Sequence, residues 1–268
     1  METIDTDELA RRIRIHAVKM VNKGGSPHIG SVLSMVDILA VLYGNIMNYK
    51  AKEPKWNDRD RFILSKGHAG AGVYAVLAEC GFFDVKELDK HYKNGLIFSG
   101  HVSHKGIPGV EFYTGALGHG LPVAAGIALR AKLDDLDYRV FTILGDGELD
   151  EGSNWEAFMF SAHRNLNNLC VIIDRNNLQS MDTIENTLAL EPLAEKIKSF
   201  GWHVQELDGH SHVALKDALI KSYKKPLCII ANTVKGKGVS YMENSIEWHY
   251  KTPKDSRFDQ AISELGKL

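Results

Sequence analysis

Residues 138–177 read YRVFTILGDGELDEGSNWEAFMFSAHRNLNNLCVIIDRNN. Two runs within it, VFTIL at 140–144 and LCVII at 169–173, are apolar almost without a break. That is the pattern of strands covered on both faces, since a strand with one wet side alternates apolar and polar. The segment between them, SNWEAFMFSAHRN, is amphipathic at helical spacing. Strand, helix, strand is the unit that builds parallel pairing, and the alternation continues outward in both directions. Toward the C-terminus LAEKIKSFG, WHVQELDG, VALKDALIKSYKK, PLCIIANTV and SRFDQAISELGKL read as helix, strand, helix, strand and helix. Toward the N-terminus the spacing predicts a helix over residues 7–23 ending at Gly24 and Gly25, then a buried helix in MVDILAVLYGNIM. A short strand at 61–65 leads through Lys66, Gly67 and His68 into a small-residue helix; a polar helix is predicted over 84–93. Residues 95–109 form a long irregular loop, followed by a Gly-rich turn and an Ala/Gly-rich helix. The predicted fold class is α/β, a parallel sheet flanked by helices on both faces, in a single domain over residues 1–268 without linker or repeat.

Composition excludes several classes. The chain has 32 basic and 34 acidic residues, so it carries no cationic excess for nucleic acid. No apolar run approaches the ~18 residues of a membrane span, and METIDTDELARR has no apolar core of a secretory leader. Cys80, Cys170 and Cys228 are far apart and odd in number, which fits reduced thiols and a cytoplasmic location.

The chemistry should lie beyond the carboxyl ends of the strands, where open parallel sheets place their ligand crevice. One strand ends in Gly145-Asp146-Gly147 and another in Asn176-Asn177. Glycines admit an anion close to backbone N–H groups, and a carboxylate with an amide oxygen can hold a hard divalent cation. Alone, the GDG tripeptide reads first as a tight turn. A dinucleotide site is a poorer reading of GDGELDEG, because the acidic residues after the turn would repel a pyrophosphate unless a metal intervened.

The order GDG, helix, strand, NN resembles the thiamine diphosphate motif, and further segments make the resemblance specific to transketolases. These are GGSPHIGS with His28, LSKGHA with His68, FSGHVS with His101, TGALGHG with Gly115 to Leu117, and WHYKTP with His249, in the family's order. The similarity covers nearly the whole chain and matches the N-terminal, diphosphate-binding (PP) part of those enzymes. It implies thiamine diphosphate and Mg²⁺, with Ca²⁺ or Mn²⁺ as substitutes. Carried over by position, Asp146, Asn176 and the Leu178 carbonyl would be the metal ligands. Gly145, Gly147, His68 and His249 would meet the diphosphate, and Gly115, Ala116 and Leu117 the aminopyrimidine side. His28, His68, His101 and His249 would be the catalytic histidines, with His28 and His101 facing substrate hydroxyls. Glu151 and Glu156 resemble glutamates that couple paired sites across an interface. The implied reaction moves a two-carbon ketol unit from a ketose phosphate to an aldose phosphate through a cofactor-bound dihydroxyethyl intermediate.

His16, His91, His163, His203 and His212 read as surface or core residues, His210 as a loop residue, and His119 has no assigned role. His101 and His104 make an HxxH pair without a third ligand for zinc. The family's pyrimidine-binding and C-terminal domains have no counterpart in these residues, nor does the glutamate that activates the cofactor. The resemblance therefore predicts one half of a split transketolase, completed by a C-terminal subunit in an α2β2 assembly. The alternatives are the α subunit of a thiamine-dependent 2-oxo acid dehydrogenase or decarboxylase, a 1-deoxyxylulose-phosphate synthase, and a non-catalytic thiamine diphosphate-binding module. LSKGHA and WHYKTP count against the first, and the full histidine set against the last.

Overall fold

The computed structural model describes residues 4–268; the first residues of the METIDTDELARR stretch, Met1 to Thr3, lie outside it. Five strands form one parallel sheet: β1 (Arg61–Leu64), β2 (Val140–Gly145), β3 (Leu169–Arg175), β4 (His203–Asp208) and β5 (Leu227–Asn232), in the spatial order β1-β2-β3-β5-β4. Strand alternation sorts the side chains into two cores. Phe62, Leu64, Phe141, Ile143, Cys170, Ile172, Leu227, Ile229 and Ala231 face one core. It is built from α1 (Thr6–Gly24), α2 (Ile29–Ser34), α3 (Val36–Val41) and α4 (Gly70–Glu79), which lie on that face. Ile63, Val140, Leu144, Leu169, Val171, Ile173, Cys228 and Ile230 face the other core, under α5 (Gly120–Leu133) and α6 (Gly152–His163). A one-turn helix, α7 (Ile184–Thr187), and α8 (Leu193–Ser199) complete that side. The last two helices, α9 (His212–Leu219) and α10 (Asp255–Leu265), pack on the first core. Among the described residues no helix is long and apolar enough to cross a membrane.

The structure departs from the sequence expectations in five places. The buried helix in MVDILAVLYGNIM is broken at Met35, and Leu42–Ile46 winds as a π turn. The break has a cause in side-chain chemistry: the Ser31 carbonyl, which Met35 N–H would meet in a continuous helix, accepts Lys66 Nζ at 2.9 Å and Ser34 Oγ at 3.1 Å. Met35 N–H turns instead to the Val32 carbonyl at 3.3 Å. The polar helix expected over 84–93 is only a 3₁₀ segment, Val85–Lys90, because Leu88 is its one buried apolar side chain and offers no helical stripe. The helix expected over 213–225 stops at Leu219, where Tyr223 folds back to stack on His203 at 4.4 Å and bond the Ala218 carbonyl. The strand expected over 61–65 ends one residue early, and α7 was not foreseen.

The C-terminal segment is strapped to the first interhelix loop. His28 N–H donates to the His249 carbonyl at 2.8 Å, Thr252 Oγ1 to the Ser26 carbonyl at 2.8 Å, and Asn22 Nδ2 to the Pro253 carbonyl at 2.8 Å.

Candidate active site

Because all five strands are parallel, their carboxyl ends share one rim, and the loops that leave it enclose a cavity of about 260 Å³. It is lined by His28, His68, His101, Gly115, Leu117, Gly145, Asp146, Gly147, Asn176, Leu178 and His249, every expected catalytic, cofactor and metal residue except Ala116, which is exposed between its neighbours. A larger cavity of about 580 Å³ opens at the opposite rim and carries none of these groups. Glu151 and Glu156 do not line the site; both are exposed at the start of α6, with the Glu151 side chain against Gly118.

The floor is made of hard oxygens. Asp146 is 3% exposed; its Oδ1 accepts Gly147 N–H at 2.9 Å and its Oδ2 accepts Asn177 N–H at 2.6 Å. Burial, and then the nearby Asp174 charge, push its carboxyl up to about 6, an environment that a cation would relieve. Asn176 Oδ1 holds Leu178 N–H at 3.2 Å. The Leu178 carbonyl takes the Lys235 ammonium at 3.0 Å, which also reaches the Gln179 carbonyl at 2.9 Å. A positive charge thus already lies on the oxygen that the resemblance assigns to a metal. Carboxylate, amide and carbonyl are the donor set of Mg²⁺ or Ca²⁺, so these residues fit such an ion. A Cβ at Gly147 would lie 2.8 Å from Gln179 Cγ, so any side chain here would displace Gln179.

The wall is made of imidazoles. The His28 ring centroid lies 5.0 Å from His68, 5.9 Å from His101 and 5.1 Å from His249, and His68 lies 5.7 Å from His249. His28 sits at φ 77° at the entrance to α2, a left-handed conformation that an L residue adopts only when its surroundings hold it there. The hydrogen bond to the His249 carbonyl is part of that hold. Burial, followed by the charges of His101 and Lys235, lowers His28 to about 4. Burial, followed by Lys235 and His28, lowers His249 to about 3. Burial and Lys66 hold His68 well below the ordinary value, and burial lowers His101. Near neutral pH these rings are uncharged, each with one donor and one acceptor nitrogen, the state that relays protons to and from hydroxyls. His249 Nδ1 is buried without a partner among the described residues, an open polar atom in the wall.

Four charged residues that the sequence did not single out organise the site. Lys66, 2% exposed, pairs with the fully buried Asp174, which also accepts from Ser34 Oγ and Thr233 Oγ1. Burial alone would raise the Asp174 carboxyl, but Lys66 and these hydrogen bonds outweigh it and hold it below the usual range. Glu148 joins three loops, accepting Ser65 Oγ at 2.5 Å, Gly118 N–H at 2.9 Å and Gly145 N–H at 3.2 Å. Lys235 is brought down to about 8 by burial first and Lys66 second. The readable signal for Lys66 and Lys235 was a lysine beside glycine at the end of an apolar strand; Asp174 and Glu148 gave none, since their partners lie 108 and 83 residues away.

The family described as transketolase, thiamine diphosphate binding domain, matches residues 5–267. An apulose-4-phosphate transketolase subunit from Phocaeicola vulgatus is 39% identical over 274 residues, covering 100% of this chain and 95% of its own. The 6-deoxy-6-sulfo-D-fructose transketolase subunit SqwG of Clostridium sp. is 37% identical, covering 99% and 98%. Human transketolase is 38% identical across 96% of this chain but only 41% of its own length. Among solved structures, transketolase from Campylobacter jejuni superposes with a TM-score of 0.92 at 30% identity, over 97% of this chain and 42% of that one. The chain therefore spans about two-fifths of the long transketolases and nearly all of the subunit-type relatives.

Proposed function

Since this chain belongs to the transketolase family, on its thiamine diphosphate-binding side, we propose that it is the diphosphate-binding subunit of a two-chain transketolase. The observation that carries the reading is the meeting, in one cavity, of an oxygen floor suited to a divalent cation and a wall of four uncharged imidazoles. Thiamine diphosphate, when bound, supplies the nucleophilic carbon and electron sink for breaking and making the carbon–carbon bond. Asp146, Asn176 and the Leu178 carbonyl hold Mg²⁺. The N–H of Gly147, with His68, His249 and Lys235, takes the diphosphate, and Gly115 to Leu117 border the aminopyrimidine. His28 and His101 reach the sugar hydroxyls, accept a proton from the donor ketose and return one to the acceptor oxygen. His249 stands between the two tasks, with its open Nδ1 available to either.

The buried carboxylates of the site are all engaged: Asp146 on backbone N–H groups beside the cation position, Asp174 on Lys66, and Glu148 on Ser65 and two loop amides. None is free to activate the aminopyrimidine. We therefore assign that carboxylate, with the pyrimidine-binding and C-terminal domains, to a partner subunit, in an α2β2 assembly. Glu151, exposed against Gly118, and Glu156, exposed further along α6, are placed to meet a neighbouring chain. Substrates are sugar phosphates or close analogues, as the names of the subunit-type relatives indicate for those proteins. The three cysteines carry no disulfide, in keeping with a cytoplasmic enzyme.

The test is to coexpress the chain with the product of the adjoining gene and assay two-carbon transfer from xylulose 5-phosphate and a panel of other ketoses to aldose phosphates, with thiamine diphosphate and Mg²⁺. Transfer by the pair alone supports the proposal. Full transfer by the single chain would overturn the need for a partner, and no transfer from any ketose by a stable pair would overturn the reaction.

A further inference from the structure

Behind the oxygen floor lies a second polar cluster that the proposed chemistry does not use. Asp37 of α3 accepts from the Arg14 guanidinium of α1, from His210 Nδ1 at 2.6 Å and from His212 Nε2 at 3.0 Å, all of them largely buried. The hydrogen-bond directions settle which His210 nitrogen carries the proton. His210 Nε2 lies 2.8 Å from Val234 N, and a backbone N–H can only donate. Nε2 is therefore the acceptor, and the proton on Nδ1 points to Asp37.

Val234 immediately precedes Lys235, whose ammonium is buried against the Leu178 and Gln179 carbonyls. The stretch that carries it has left β5, and Gly236 and Gly238 follow at φ 81° and 93°. The backbone on either side is tied by Thr233 N–H to the Arg175 carbonyl at 3.0 Å, Gly236 N–H to the Gly30 carbonyl at 3.0 Å and Asn244 N–H to the Lys235 carbonyl at 2.9 Å, while Val234 N–H, between them, is held by the His210 side chain. The turn after β4 is pressed against this loop: Gly209 N–H donates to the Asn232 carbonyl at 2.8 Å, and a Cβ on Gly209 would lie 2.5 Å from Thr233 Cγ2.

We propose that His210 is a positioning residue for Lys235: Asp37 orients the imidazole, the imidazole clamps the Val234 N–H, and the clamp aims the lysine into the anion site. The inference rests on the reading of Lys235 as a diphosphate ligand. His212 is an internal control, because it shares Asp37 but turns its other nitrogen to Thr6 Oγ1 at 2.8 Å, with no hydrogen bond to the loop among the described residues.

The experiment compares wild type, His210→Ala, His210→Gln, His212→Ala and Lys235→Met in the full chain. It measures amide hydrogen exchange over residues 233–237 and the affinity for thiamine diphosphate with Mg²⁺. Loss of one buried hydrogen bond predicts about tenfold faster exchange at Val234 in His210→Ala and about fivefold weaker cofactor binding. Glutamine places an acceptor near the position of Nε2 and should restore both to within about twofold. His212→Ala should lower stability while leaving exchange in the loop and affinity as in wild type. If His210→Ala does not fold, Gly209→Ala, which drives Thr233 outward, should give the same pair of changes. Unchanged exchange in His210→Ala, or equal effects of His210→Ala and His212→Ala on the loop, would overturn the clamp. Faster exchange without weaker binding, where Lys235→Met does weaken it, would overturn the aiming role. If Lys235→Met leaves affinity untouched, the reading of Lys235 fails, and exchange alone then judges the clamp.

Discussion

Replacing Asp146 by asparagine should move stability and cofactor binding in opposite directions. In the metal-free chain the carboxyl is 3% exposed and raised to about 6, by burial first and by the Asp174 charge second, against the pull of the Asn177 and Gly147 N–H groups. A rise of about 2 units from the ordinary value corresponds to about 3 kcal/mol of destabilisation when the group is ionised. The folded state binds its proton more tightly than the unfolded chain does. Between about pH 4 and about pH 6 this carboxyl therefore makes stability fall as pH rises, and above that the whole penalty is present. Asparagine removes the charge but turns an NH₂ toward one of the two N–H donors, which costs about 1 kcal/mol and leaves a net gain of about 1–2 kcal/mol. For a chain of this size that is a rise in melting temperature of roughly 2–4 °C. Urea unfolding of EDTA-treated wild type and Asp146→Asn at pH 5 and pH 8, repeated with Mg²⁺ and thiamine diphosphate, measures both effects. His28 and His249 tilt both pH profiles alike, so the difference between the proteins isolates Asp146. The gain should shrink from pH 8 to pH 5, and only wild type should gain stability from the ligands. A metal-free variant less stable than wild type at pH 8, or one stabilised by the ligands as much as wild type, would refute the reasoning.

Asp174→Asn strands a buried Lys66 ammonium and should lose about 3–5 kcal/mol in urea unfolding, whereas Lys66→Met with Asp174→Leu should recover most of it; a loss under about 1 kcal/mol would sink the account. Ring-proton NMR should show His28 titrating at about 4 and His249 at about 3, because burial disfavours their charged forms. Each then draws stability away as pH falls below the ordinary histidine value of about 6.5, and a midpoint near that value in either ring would contradict the wall as described. Gly67→Ala places a Cβ 2.3 Å from the Thr114 carbonyl oxygen and should cost about 3 kcal/mol with loss of the His68 geometry. Gly126→Ala, mid-helix in α5 with open space around it, should instead gain about 0.5–1 kcal/mol, and thermal melts that rank the pair the other way would refute the packing argument.

What the sequence made legible was local and periodic. VFTIL and LCVII could be read as central strands because burial on both faces leaves no polar alternation, and the two cores confirm it. The glycines and the paired asparagines at the strand ends located the rim, since their chemistry is written in adjacent residues. The break at Met35 was not legible, because it depends on Lys66 capturing the Ser31 carbonyl from 35 residues away. Asp174 looked like the polar end of a buried strand, and only folding shows that it anchors Lys66, Ser34 and Thr233 together. His210 read as an ordinary loop residue for the same reason: its meaning lies in Asp37, 173 positions earlier, and in Val234.

The strap between Ser26 and Thr252 joins residues 226 positions apart. At a synthesis rate of roughly 5–20 residues per second, some ten to forty-five seconds separate the two ends of that bond on the ribosome. Throughout that interval the loop bearing His28 has no His249 carbonyl to hold it, and the cavity lacks its last wall. Completion of the pocket is thus timed by translation itself: an unfinished chain presents the GDG turn without the means to close over a cofactor, and its first helices must keep their apolar stripes covered until the final segment arrives.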